Sequence, residues 1–159
     1  MRFPLVRGPG VALAAFCLAS PALAQKEKMV WFTMPTDNKM QLIFGIPESD
    51  STIMAVICTK GSDTIEVHSL IGSRGLKAGD AATVTLSNSK IKKTFSGKAY
   101  KDDEGTTANV EGSGKLADFE DVIKVGRPFV ISVKGAKYGL STKGVQKPLA
   151  TLVAACRGT

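Results

Sequence analysis

From Met29 onward the chain alternates apolar and polar residues with a period of two, and turn-forming residues interrupt the alternation at short intervals. That period belongs to strands with one buried face, not to helices. Residues 29–34 and 39–46 flank Pro35-Thr36-Asp37-Asn38, a tight-turn sequence, and read as a hairpin. Residues 51–59 are apolar on both faces, with Ile53, Ala55 and Ile57 on one and Met54, Val56 and Cys58 on the other, so this strand belongs in the middle of the core. Residues 64–70 set Ile65 and Val67 against Glu66 and His68 and read as half-exposed. Residues 82–87, 90–101, 107–112, 128–134 and 138–142 continue the series. About eight or nine strands in one domain make the fold mainly β, an antiparallel sandwich or a small barrel.

Two segments carry a helical period instead. Residues 116–124 place Leu116, Phe119 and Ile123 at helical spacing, with acids early, Lys124 late and Gly126 beyond, which predicts a short internal helix. Near the terminus Val145, Leu149, Leu152, Val153 and Cys156 form one apolar stripe of a C-terminal helix, with Pro148 tolerated in its first turn. Cys156 falls on the stripe expected to be buried. Trp31 and Phe32 fall on opposite faces of the first strand, and both are expected in the core.

Residues 1–24 read as a secretory signal peptide. Arg2 and Arg7 form the positive start, residues 11–19 the apolar centre, and Ser20-Pro21 the break. Ala22-Leu23-Ala24 is the small-x-small pattern cut between Ala24 and Gln25. The apolar run is short of the roughly 20 residues needed to span a bilayer, so no transmembrane span is expected. Residues 25–159 then form a single exported β domain, periplasmic or secreted. Cleavage removes Cys17 and two arginines, lowering the formal charge from +7 to about +5 and leaving Cys58 and Cys156. An even pair in an oxidising compartment reads as one disulfide. Closing a loop of about 100 residues stabilises by roughly 4 to 5 kcal/mol in the chain-entropy model.

Three segments together, Gly45-Ile46-Pro47-Glu48, Ala55-Val56-Ile57-Cys58-Thr59 and Leu152-Val153-Ala154-Ala155-Cys156, give the chain a likeness to known proteins. It resembles small exported α-proteobacterial proteins in which a strand ending in cysteine follows a Gly-x-Pro-Glu segment and a helix ending in Ala-Cys closes the domain. That group carries no assigned activity, so the likeness implies a fold and a compartment and names no site.

Catalytic chemistry is sparsely supplied. His68 is the single histidine, its same-face neighbours are Thr64 and Glu66, and a solvated side chain is the expectation. One histidine and a cysteine pair make no structural zinc site, and no cofactor motif is present, so neither metal nor cofactor is expected and the chain reads as a non-enzyme. Asp102-Asp103-Glu104-Gly105 suits a hairpin turn better than a calcium loop, and Gly112-Ser113-Gly114 reads as a bend.

The lysines carry more pattern. Lys90, Lys92, Lys93 and Lys101, with Lys98, crowd one hairpin region, and Lys134, Lys137, Lys143 and Lys147 another. Lys90, Lys92 and Thr94 share one side of their strand, and Ile91, Lys93 and Phe95 the other. The plain expectation is an edge strand guarded by lysine. The functional one is a patch at Lys90, Lys92, Lys93 and Lys101 that makes peripheral contact with an anionic membrane surface. Nucleic acid is not expected as a partner of an exported chain, and the envelope or extracellular partner is unknown. A second hypothesis rests on Ser96-Gly97-Lys98-Ala99-Tyr100, which resembles the Ser-Gly-x-x-Tyr loop of periplasmic lysozyme inhibitors. That likeness implies a protruding loop offering Ser96, Gly97, Lys98 and Tyr100 to paired catalytic carboxylates.

Overall fold

The computed structural model describes residues 28–101 and 105–159. The segment read as a signal peptide, its boundary at Ala24 and Gln25, Cys17, and the acids Asp102, Asp103 and Glu104 lie outside the described residues.

The described strands are β1 (Val30–Pro35), β2 (Lys39–Gly45), β3 (Thr52–Thr59), β4 (Thr64–Ser69), β5 (Ala81–Ser87), β6 (Lys92–Tyr100), β7 (Asn109–Lys115), β8 (Phe129–Val133) and β9 (Ala136–Leu140). The helices are α1 (Leu116–Lys124) and α2 (Gln146–Arg157). All nine strands join one antiparallel sheet in the order β1-β2-β3-β4-β7-β6-β5-β8-β9, curled into a half-barrel. A sandwich needs two sheets, so the barrel-like arrangement is the one adopted, short of closure. β1 and β9 are its edges, and no ladder joins them among the described residues.

The alternation assigns faces as expected. On the inner face lie Leu42, Met54, Val56, Cys58, Ile65, Val67, Val84, Leu86, Phe95, Val110 and Ile131, all with almost no exposure. Trp31 joins this core, but Phe32 points to the outer face and is only half-buried, because successive side chains of a strand take opposite sides. Gly112 and Gly114 sit inside β7 and not at a bend. Gly97 faces Gly112 across β6 and β7, and a Cβ on Gly97 would run into the Glu111 carbonyl. A Cβ on Gly114 would sit 2.6 Å from the Phe95 ring. The missing side chains leave room for Phe95 against β7.

Both helices fill the inner side. α1 packs on β5, β6 and β7, and α2 on β1, β2 and β3. Cys58 of β3 and Cys156 of α2 form the expected disulfide, joining residues 98 apart with Cα atoms 5.7 Å apart. Arg157 of α2 donates to the buried Glu120 of α1 at 2.6 Å, so the helices also meet each other. Among the described residues no helix is long and apolar enough to cross a membrane.

The strand order makes two connections long. From β4 the chain reaches β5 only by passing the ends of β7 and β6, and residues 70–80 make that crossing. α1 makes the return crossing from β7 to β8.

Candidate functional site

The crossing segment lines an open cleft. Gly72 adopts φ 72, a left-handed conformation that favours glycine, and a Cβ there would meet the Thr107 hydroxyl. The buried Ser73 donates its hydroxyl to the Ala108 carbonyl at 2.7 Å. One residue further on, the Arg74 amide donates to the Lys134 carbonyl at 2.9 Å. In the β8–β9 turn, Gly135 has φ 74, and the Arg74 stem occupies the space beside it, 2.6 Å from where a Cβ would stand. Residues 72–74 are thus stitched to the β6–β7 connection on one side and to the β8–β9 hairpin on the other.

Between these anchors lies a cleft of about 710 Å³, within the usual size of small-ligand sites. Arg74, Lys137, Thr107 and Ser132 supply its polar groups, and no acid lines it among the described residues. Arg74, Lys134 and Lys137 are exposed and make no ion pair among the described residues. A neighbouring hollow of about 320 Å³ shares Ser73 and Thr107 with the cleft and adds Lys77 and Lys101. A guanidinium fork, ammonium groups and hydroxyls around a hollow are complementary to an oxyanion such as phosphate or carboxylate.

The residues singled out in the sequence are distributed differently from expectation. Lys90 and Lys92 are exposed at the β5–β6 hairpin, whereas Lys101 follows the far end of β6, a strand of 9 residues. At about 3.3 Å per residue that separation approaches 30 Å. Lys93 turns inward to α1, 2.7 Å from Asp118 and 2.9 Å from Asp121. The hydrogen bonds its ammonium donates to those two carboxylates, Asp118 first, hold its pKa above the ordinary lysine value. Lys90, Lys92, Lys93 and Lys101 therefore form no common patch. Nor do they guard an edge, because β6 lies between β5 and β7.

The segment with Ser96, Gly97, Lys98 and Tyr100 is not a protruding loop. It is the interior of β6, laddered to β5 and β7, and its backbone groups are engaged in the sheet. Lys98 lies 3.5 Å from Glu111 across the β6–β7 ladder. His68 is not solvated as expected, since its side chain is only 18% exposed. Its ring meets Tyr100 edge-on, with Nδ1 3.5 Å from the Tyr100 hydroxyl and Nε2 3.6 Å from Glu66. The same-face pairing with Glu66 is the one the alternation implies.

Residues 70–80 were not singled out from the sequence, because they show neither strand nor helix period. Their signal is compositional: Gly72-Ser73-Arg74-Gly75 followed by Lys77 is a glycine-rich basic run, the kind of segment whose backbone and cations wrap an anion. Among the described residues no group of three or more His, Cys, Asp or Glu side chains is placed to hold a metal ion. No protein-family model, curated protein or solved structure matches the chain.

Proposed function

We propose that this chain is exported and acts by binding, without catalysis, to anionic groups of the cell envelope through its basic cleft. The observation that carries the reading is the pairing of Arg74 and Lys137 around a hollow with no acid in its lining among the described residues. Lys134, on the same hairpin as Lys137 and bonded through its carbonyl to the Arg74 amide, places a third cation beside the cleft. The anion-facing surface is therefore assigned to this end of the half-barrel and not to Lys90 and Lys92. Export is supported by the sequence of residues 1–24 and by a disulfide that an oxidising compartment maintains. The stitched segment gives the site a fixed shape, so little ordering cost opposes binding.

Co-sedimentation with vesicles tests it. Binding to vesicles rich in acidic phospholipid is expected at low salt, with release as salt rises, and none to purely zwitterionic vesicles. Removing Arg74 or Lys137 by substitution to glutamine weakens binding about fivefold each, at about 1 kcal/mol per cation near an anionic surface. Lys90→Gln and Lys92→Gln leave it unchanged. Absence of binding at low salt, or equal sensitivity to all four substitutions, refutes the assignment.

A further inference from the structure

The opposite character appears along the seam between the two edge strands. All the large apolar side chains exposed among the described residues, Val30, Met34 and Tyr138, lie on β1 or β9. Val30 also lines a hollow of about 350 Å³ at the start of β1, together with Met29, Trp31 and Phe44. Its rim carries Lys28 and Lys143, no acid lines it among the described residues, and it shares no residue with the Arg74 cleft. The indole of Trp31 donates to the Ser141 carbonyl at 2.6 Å and packs against Phe44 and Phe129, with ring centres 5.0 and 6.3 Å away. The aromatic floor is thus held in place with its one polar atom satisfied.

We infer that this seam is a second binding site, for an anionic amphiphile: an apolar chain or ring that covers Trp31 and Phe44, with a carboxylate, sulfonate or phosphate between Lys28 and Lys143. Apolar surface left at an open sheet edge and rimmed by polar groups marks an interaction site, and the two cations choose the sign of the ligand's head group. A second copy of the chain is disfavoured, because Lys137 in β9 and Lys28 and Lys143 close to the edges put cations where edge-to-edge pairing would have to form.

Trp31 is the chain's one tryptophan and therefore reports on the site directly. Decanoate, decanol and decyltrimethylammonium, titrated below their micelle concentrations, share one tail and differ in head-group charge. Decanoate is expected to change Trp31 emission saturably and to bind at least about tenfold more tightly than the other two. Lys143→Glu abolishes that preference, with Lys28→Glu as the second variant should the first fail to fold. Arg74→Gln leaves decanoate binding intact, which separates this site from the cleft. The inference is overturned by equal binding of all three tails, by no emission change with decanoate, or by self-association that buries Trp31 in its place.

Discussion

α1 and α2 do the same job for opposite halves of the sheet, yet they are held in different ways. α1 leaves β7 without an intervening loop, Lys115 ending the strand and Leu116 starting the helix. It packs on strands close to it in sequence and is tied to β6 by charge, through Lys93 with Asp118 and Asp121. α2 comes from the far end of the chain and must return to β1, β2 and β3. Neither helix has a side-chain cap at its start. α2 ends on Gly158 in a left-handed conformation, whose amide bonds back to the last turn. The contrast teaches that the covalent link sits where loop closure is longest. A helix that continues its own strand has little closure entropy to overcome, whereas one returning across 98 residues has much more.

The largest effect should come from removing that link. Cys58→Ala with Cys156→Ala is expected to cost roughly 4 to 5 kcal/mol as an upper figure for a loop of about 100 residues, read by denaturant unfolding. Hydrogen exchange would place the damage: amides of α2 lose protection while those of α1 keep most of theirs. If both helices lose protection together, the two halves form one cooperative unit and the contrast breaks.

A smaller effect tests the bridge between the helices, where burial is lopsided. The Glu120 side chain is 5% exposed and Arg157 is 49% exposed. Deleting Arg157 leaves a buried carboxylate whose remaining ion-pair partner among the described residues is Lys124, 3.2 Å away. Arg157→Ala should therefore cost about 1 to 2 kcal/mol. Glu120→Gln removes the charge from the buried side and frees a cation already half in water, at a cost below about 1 kcal/mol. The reverse order in thermal melts would show that the bridge is governed by the arginine's packing instead.

The same contrast explains how far the sequence was legible. Period-two alternation reports which residues of a strand share a side, and it grouped Met54, Val56 and Cys58 in one strand and Ile65 and Val67 in the next, all of which are core. The helix over residues 116–124 was legible to its bounds, because acids, Lys124 and the apolar spacing all agree there. The disulfide was legible because both cysteines fell on buried stripes. Alternation says nothing about which strand lies beside which, so the insertion of β7 and β6 between β4 and β5 was hidden. That hidden order is why Lys92 and Lys93 looked like an edge and Ser96 to Tyr100 like a loop. It also concealed the cleft, whose residues Arg74, Thr107 and Lys137 come from three separate connections or hairpins brought together by the crossing.

The smallest expected effect isolates the charge tie of α1. Both aspartates raise the Lys93 pKa in the folded state, so the pair's contribution is present at neutral pH and is lost as pH rises through that raised value. Below the unfolded lysine pKa of about 10.4 the contribution stays constant. Lys93→Met should consequently be less stable than the original chain at neutral pH, with the difference shrinking only above that point. An NMR titration of the Lys93 ε-methylene should likewise show a later midpoint in the folded protein than in urea. α2 has no such alkaline dependence through its disulfide, so raising the pH should loosen α1 first. Exchange protection lost from α2 before α1 under alkali would mean that packing of Phe119, Val122 and Ile123, and not charge, holds α1 in place.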